Sequence, residues 1–345
     1  VRRARISSQC LKRHARLWFE AESQMPIGIR TKKLKGELAK RLEGRDPAAL
    51  DRALNAFIAT YYSGMDKDQT TVLQYVSPAE LDIAVACITE QWETLAAEPT
   101  KGAKSDKGKE DREAMKKIKE ALEAAQRSPD MALFGRMLAE HAERNIEAAT
   151  QVAHAISTHR VEMELDFYTA VDDLNPEGTT GAGMMGYTGF NSACFYRYAL
   201  VDRQQLLDNL VGDARLTDQV IEAFLRASIF AIPEARQHGM AAQNLPAFGL
   251  LVVRQGGAPC NLANAFAKPV VPTQDTDLIS ASVAALAHYW EKLNAVYGLQ
   301  GAVATAVFQV DQEAHVGALA ASDCGAVDAA IARVMSAATP EGAVV

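Results

Sequence analysis

The sequence predicts an α+β protein in which a helical insert, roughly residues 27–150, interrupts a mixed body. Three observations carry that expectation. Apolar residues recur at helical spacing through most of the first 158 positions. At residue 161 the period changes to two: Val161, Met163, Leu165 and Phe167 alternate with Glu162, Glu164 and Asp166, which predicts a strand with one covered face. Beyond residue 216, runs of helical and of strand character follow one another, as in a mixed body of helices on a sheet.

Residues 7–22 read as the first helix. Leu11, Ala15 and Trp18 fall at i, i+4 and i+7 and face a core, while Gln9, Lys12 and Arg16, at i, i+3 and i+7, form a second stripe. Ser7 or Ser8 caps its N-terminus, where free N–H groups also favour an anion. Helices are expected over 34–63 and 77–97, the second opening on Ser77-Pro78-Ala79-Glu80, a capping box with Pro at the first helical position. The Lys/Gly-rich stretch 98–112 reads as a loop. A helix over 113–127 turns Met115, Ile118 and Leu122 inward, and two further helical runs fill 130–158. The strand from 161, a Gly-rich turn at 175–186 and an aromatic strand over 187–201 make a long hairpin. Helix at 216–231, strand at 247–254, helix at 277–297, strand at 302–310 and helix at 325–338 complete the chain.

Composition narrows the class. At 345 residues and 37.3 kDa two domains are expected, and 48% hydrophobic against 23% charged residues is ordinary for a globular chain. No apolar run approaches the ~18 residues of a membrane span. The basic start lacks the apolar segment of a secretory signal, and the chain opens on Val1, so an upstream stretch is expected. Cys10, Cys87, Cys194, Cys260 and Cys324 lie far apart, which argues against a disulfide framework or zinc ribbon and for the cytoplasm. No cofactor or metal is expected.

The net charge of −7 argues against a nucleic-acid binder until it is divided. Residues 1–45 hold 13 Lys/Arg against 4 Asp/Glu, and the remainder 23 against 39. A local basic surface is enough to hold phosphate, because screening hides distant acids beyond roughly 8–10 Å. A solvated basic tail is the plainer alternative.

Several motifs bear on chemistry. Gly181-Ala182-Gly183-Met184-Met185-Gly186 matches the dinucleotide fingerprint but leads into a strand rather than a helix, so a hairpin tip fits better. The neighbours Asp172 and Asp173 point to opposite faces of a strand, which suits a turn better than a shared metal site. His154 and His159 miss the i, i+4 spacing of a zinc helix. The surviving features concern nucleic acid. Arg5, Gln9, Lys12 and Arg16 share a stripe, and Phe167-Tyr168 offers stacking surface on a ribbon. Lys109, Arg112, Lys116 and Lys119 form a second basic stripe, although a solvated lysine face reads the same way.

The segments RISSQCLKRHAR (5–16), FYTAVDDLNPE (167–177), FNSACFYRYALVD (190–202) and NLANAFAKPV (261–270) together resemble the CasC-type backbone subunit of the type I-E CRISPR Cascade complex, of the RAMP superfamily. The resemblance implies a hand: an RRM-like (ferredoxin-like) palm at 1–26, 149–160 and 195–345, helical fingers at 27–148, and a thumb hairpin at 161–194. It implies a non-catalytic subunit whose copies stack into a filament along the guide RNA (crRNA), with other Cascade subunits as partners, target DNA paired to the guide, and no membrane. Carried over residue by residue, Arg5, Ser7, Gln9, Lys12, Arg16 and Lys268 contact the guide. Phe167, Tyr168 and Thr169 wedge its kinks, Met137 touches it from the fingers, and Arg236-Gln237 matches a Lys-Gln pair. Lys109, Arg112, Lys116 and Lys119 guide target DNA. The family has a strand and polar loop before the RISSQ segment, so the first palm strand is expected upstream. The rival implied by kinship is a type III backbone subunit, which cuts target RNA with an aspartate in that upstream loop.

Overall fold

The computed structural model describes residues 1–97, 110–138, 141–170, 173–174, 184–298, 301–311 and 314–338. The fold is α+β. Along the chain, strand β1 (Arg5–Ile6) leads into helix α1 (Ser8–Trp18) and a π turn, Phe19–Ser23. Then come β2 (Ile29–Thr31), α2 (Leu34–Arg41), α3 (Pro47–Tyr61), β3 (Met65–Asp66), β4 (Gln69–Thr70), β5 (Gln74–Val76), α4 (Pro78–Glu90), α5 (Trp92–Leu95), α6 (Glu110–Ala124) and α7 (Pro129–Phe134). Strands β6 (Thr150–Val152), β7 (Ala155–Ser157), β8 (Glu164–Ala170), β9 (Met184–Phe190), β10 (Phe195–Tyr196) and β11 (Ala199–Val201) follow. The chain continues with α8 (Arg203–Asn209), α9 (Ala214–Phe230), α10 (Gln237–Met240), β12 (Phe248–Arg254), α11 (Leu278–Tyr297), β13 (Ala302–Gln309) and α12 (Val327–Ala338). Among the described residues no helix is long and apolar enough to cross a membrane.

Two compact units emerge. The helical one comprises Lys12–Gln151 and Leu200–Ala231; the mixed one comprises Val1–Leu11, Val152–Ala199 and Ile232–Val345.

The helical unit is built around Leu34, Leu38, Leu54, Phe57, Ile58, Leu81 and Ile88, all buried. The expected single helix over 34–63 is two. Gly44 takes a positive φ of 87°, Asp46 accepts a hydrogen bond from the Ala49 N–H at 2.8 Å, and Pro47 opens α3. The capping box at α4 forms as expected: Ser77 and Glu80 each accept from the other's backbone N–H. Glu80 then turns its carboxylate to the buried guanidinium groups of Arg136, at 2.7 Å, and Arg144, at 2.9 Å. In α6, Ile118 and Leu122 are buried, but Met115 is exposed, contrary to its expected inward face. The helical runs expected over 130–158 reduce to α7 and a short 3-10 turn; β6 and β7 replace the rest. Short apolar runs do not separate strand from helix, and here the pairing partners lie far away in sequence.

The mixed unit holds a three-stranded antiparallel sheet in the order β1-β7-β10. Arg3 anchors its edge by donating to the carbonyls of Ser157 (2.6 Å) and Phe266. Strands β12 and β13 pair from Phe248↔Gln309 to Arg254↔Ala302. Phe266, Val283, Leu286, Trp290, Val307 and Leu319 form the core of this part. Strands β8 and β9 form a separate two-stranded ribbon, Glu164↔Phe190 to Ala170↔Met184. Every residue of β8 is exposed, so the covered face expected from its alternation is not covered within the unit.

Candidate nucleic-acid interface

The N-terminal segment sets the first group of side chains. Ser7 caps α1: its hydroxyl oxygen accepts from the Cys10 N–H at 3.2 Å, and its O–H has no acceptor among the described residues. Arg5 on β1 and Gln9 on α1 are exposed and have no partner among the described residues. Lys268 is exposed just beyond the 3-10 turn Leu262–Phe266. Arg236 stands at the start of α10 with a positive φ of 56°, and its exposed side chain is followed by half-buried Gln237 and exposed His238.

Within the helical unit, Lys12 and Arg16 share a helix face but not a role. The Nε of Arg16 donates to Oδ2 of fully buried Asp130 at 2.7 Å, and its Nη2 to the Gly28 carbonyl at 2.9 Å. Asp130 also accepts from the Tyr75 hydroxyl (2.6 Å) and the Gly28 N–H (2.9 Å). Burial, then the Asp130 charge, pushes the Tyr75 phenol above its ordinary range, so it stays a neutral donor. Lys12 has no carboxylate partner among the described residues; its Nζ lies 6.0 Å from the Phe134 ring centroid. Burial and, second, the Arg30 charge hold the Lys12 ammonium below its usual pKa. The Arg30 guanidinium carbon stands over Tyr75, 4.4 Å from the ring centroid, and the residue is exposed. Lys12 and Arg30 thus form a positive pair with no carboxylate partner among the described residues, the kind of charge that attracts an anion. Sequence reasoning missed Arg30, which lies 18 residues from Lys12; the only signal was its place in the basic first 45 residues.

Met137, after α7, is 86% exposed. On α6, Lys116 and Lys119 are exposed; Lys116 makes only a loose 3.6 Å pair with Glu120. Lys109, and the side chain of Arg112, lie outside the described residues, as do Asp172 and most of the Gly-rich tip.

The ribbon separates the three residues expected to act as a wedge. Phe167 and Thr169 project from one face, with Leu165, Tyr187 and Met185; Tyr168 projects from the other, with Glu164, Asp166 and Thr188. Phe167 pairs with Tyr187 at 5.3 Å between ring centroids. Tyr168 lies across Gly186, where any Cβ would meet its hydroxyl at 2.5 Å, so packing explains the last glycine of the fingerprint-like motif. Tyr187 was not singled out from sequence, because its place beside Phe167 depends on register.

Other candidates reduce to structural parts. His159 bridges the Arg160 carbonyl (2.8 Å) and the Cys194 N–H (3.3 Å). Asp173 is exposed in a turn. Among the described residues no cluster of three His, Cys, Asp or Glu side chains could hold a metal ion.

Solved structures resemble this chain over nearly its whole length. One, described as a CRISPR RNA-guided surveillance complex, pre-nicking, is 30% identical with a TM-score of 0.83, covering 98% of this chain and 91% of the other. A second, described as a CRISPR RNA-guided surveillance complex, is 26% identical with a TM-score of 0.72, covering 97% and 90%. No curated protein matches. The model of the CT1975-like protein family matches residues 1–336, and the chain belongs to that family.

Proposed function

We propose that this chain is a non-catalytic, guide-RNA-binding subunit of a CRISPR RNA-guided surveillance complex of the type I-E Cascade kind. Its copies line up in the cytoplasm as a filament along the guide and, with other subunits, present it to target DNA. In this reading the mixed unit contains an RRM-like palm, the helical unit supplies the fingers, and the β8–β9 ribbon is the thumb. The likeness to chains of RNA-guided surveillance complexes supports the partners. One observation supports the backbone role above the others: the ribbon exposes Leu165 (73%), Phe167 (51%), Met185 (67%) and Tyr187 (73%) on a single face. An isolated two-stranded ribbon is only marginally stable in water, so such a face suits cover from a neighbouring copy and an RNA strand.

The chemistry fits sequence-blind holding. Lys12, Arg30, Lys268 and Arg5 can neutralise phosphates, the Ser7 O–H can donate to one, and base pairing supplies specificity. The native mass of the complex assembled with guide RNA tests the proposal, together with a nuclease footprint of that RNA. Several copies per guide and evenly spaced protection are expected; a single copy on a long RNA contradicts it. Complementary RNA incubated with the particle and magnesium is expected to stay intact, and periodic cleavage would favour a nuclease instead.

A further inference from the structure

We infer that a cleft on the open face of the β1-β7-β10 sheet, bounded by Arg5, His154, Ile156, Tyr196 and Asn261, seats one nucleotide of single-stranded RNA, its base against Tyr196 and its phosphate toward Arg5. The inference rests on the RNA-binding reading above and adds a site to it.

The register builds the cleft. Arg5 pairs with Ile156, and Ile156 with Tyr196, so these three side chains form one row across three strands on the same face. The alternate positions on β7, Ala155 and Ser157, are fully buried, so the opposite face is the inner one. The row faces a hollow of about 320 Å³, on the scale of a small-ligand site. Two inter-strand steps, roughly 10 Å, separate the cation at one end from the ring at the other.

The ring is fixed before any ligand arrives. Phe266 packs on it at 5.3 Å between centroids. Its hydroxyl accepts from the Leu262 N–H at 2.9 Å and donates to Oδ1 of Asn261 at 3.1 Å. The same Oδ1 accepts from the Ala263 N–H at 2.9 Å, which orients the amide. Burial raises the Tyr196 pKa well above the ordinary range, so the platform carries no charge to repel a phosphate.

The polar groups left over are complementary to a nucleotide. The Arg5 guanidinium, the Asn261 amide nitrogen and the exposed His154 imidazole have no partner among the described residues. Two of the three are pure donors, and among the described residues no carboxylate lines the cleft. A ligand with a flat apolar body, acceptor atoms on its edge and one negative group satisfies all of these at once. Stacking on an aromatic ring tolerates any base, so the cleft would hold RNA without reading it.

The test uses the full chain assembled with its guide, the guide carrying 4-thiouridine at successive positions. Irradiation and mass spectrometry are expected to find adducts on the peptide containing Tyr196. The variant Asn261→Asp keeps both acceptor bonds that hold the ring and the 3-10 turn but replaces the free donor by negative charge. It is expected to weaken guide retention about tenfold with thermal stability unchanged, and Arg5→Ala to lower the salt slope by about one per copy. A particle that holds guide RNA, carries adducts only elsewhere and tolerates Asn261→Asp would overturn the cleft and leave the guide-binding reading standing. A particle devoid of RNA would overturn both.

Discussion

Arg16 donates its Nε to Oδ2 of Asp130 across 2.7 Å, and the pair removes one member of the N-terminal basic stripe from the outer surface. Asp130 has no exposed area and Arg16 very little, so each charge depends on the other for its solvation. Three further hydrogen bonds, from Tyr75 and Gly28 to Asp130 and from Arg16 to Gly28, complete the knot.

Arg16→Ala is therefore expected to act on stability first. Losing one partner of a buried pair strands the other, at a cost of about 3 kcal/mol. Urea denaturation of the full chain measures this. Its salt slope for guide binding should fall by less than that of Lys12→Ala. An unchanged midpoint with a full unit lost from the slope would make Arg16 a phosphate ligand instead.

Lys12 and Arg30 carry the complementary prediction. Burial, with the Arg30 charge added to it, depresses the Lys12 pKa. For a cation the sign is as follows: the unfolded chain binds the proton more tightly, so between the depressed native value and the ordinary 10.5 stability rises with pH. Arg30→Ala should move the Lys12 titration, followed by NMR of its ε-methylene, upward toward 10.5. A polyanion added to the wild-type protein should move it the same way while removing the repulsive cost. No response to either would mean that the pair does not share a ligand.

The two residues illustrate how far the sequence was legible. Spacing put Lys12 and Arg16 on one helix face, which the structure retains, but no spacing rule reveals a carboxylate 114 residues away. Local chemistry was readable at the Ser77–Glu80 box, whereas the Gly44–Pro47 break, just as local, was passed over because apolar residues keep helical spacing on both sides of it. Strands β6 and β7 were not, because what makes residues 155–157 a strand is pairing with Arg5–Ile6 and Phe195–Tyr196. Alternation along β8 signals a covered face, and sequence alone cannot say that both faces stand exposed in the single chain.

The ribbon yields a prediction that separates two kinds of importance. Phe167→Ala and Tyr187→Ala remove large side chains that are already exposed, so the isolated chain should lose no more than about 0.5 kcal/mol. In the assembled particle the same changes should blur the regular footprint on the guide, because both rings stand on one face. Tyr168→Ala, on the opposite face, should blur it less. Equal effects from all three would mean that the two faces of the ribbon are used alike.

Helix α6 supplies the last test. Lys116 and Lys119 project into solvent, and the 3.6 Å contact of Lys116 to Glu120 is too loose to hold it. Replacing both by Ala should leave folding within about 0.5 kcal/mol and guide retention unchanged. If the helix steers target DNA, the double variant should slow association with complementary duplex several-fold at low ionic strength. Long-range attraction of this kind is screened by salt, so the difference should vanish as salt is raised. Stopped-flow association across a salt series reads both quantities. A rate deficit that persists at high salt would point to a direct contact, and collapse of guide binding would assign the helix to the RNA.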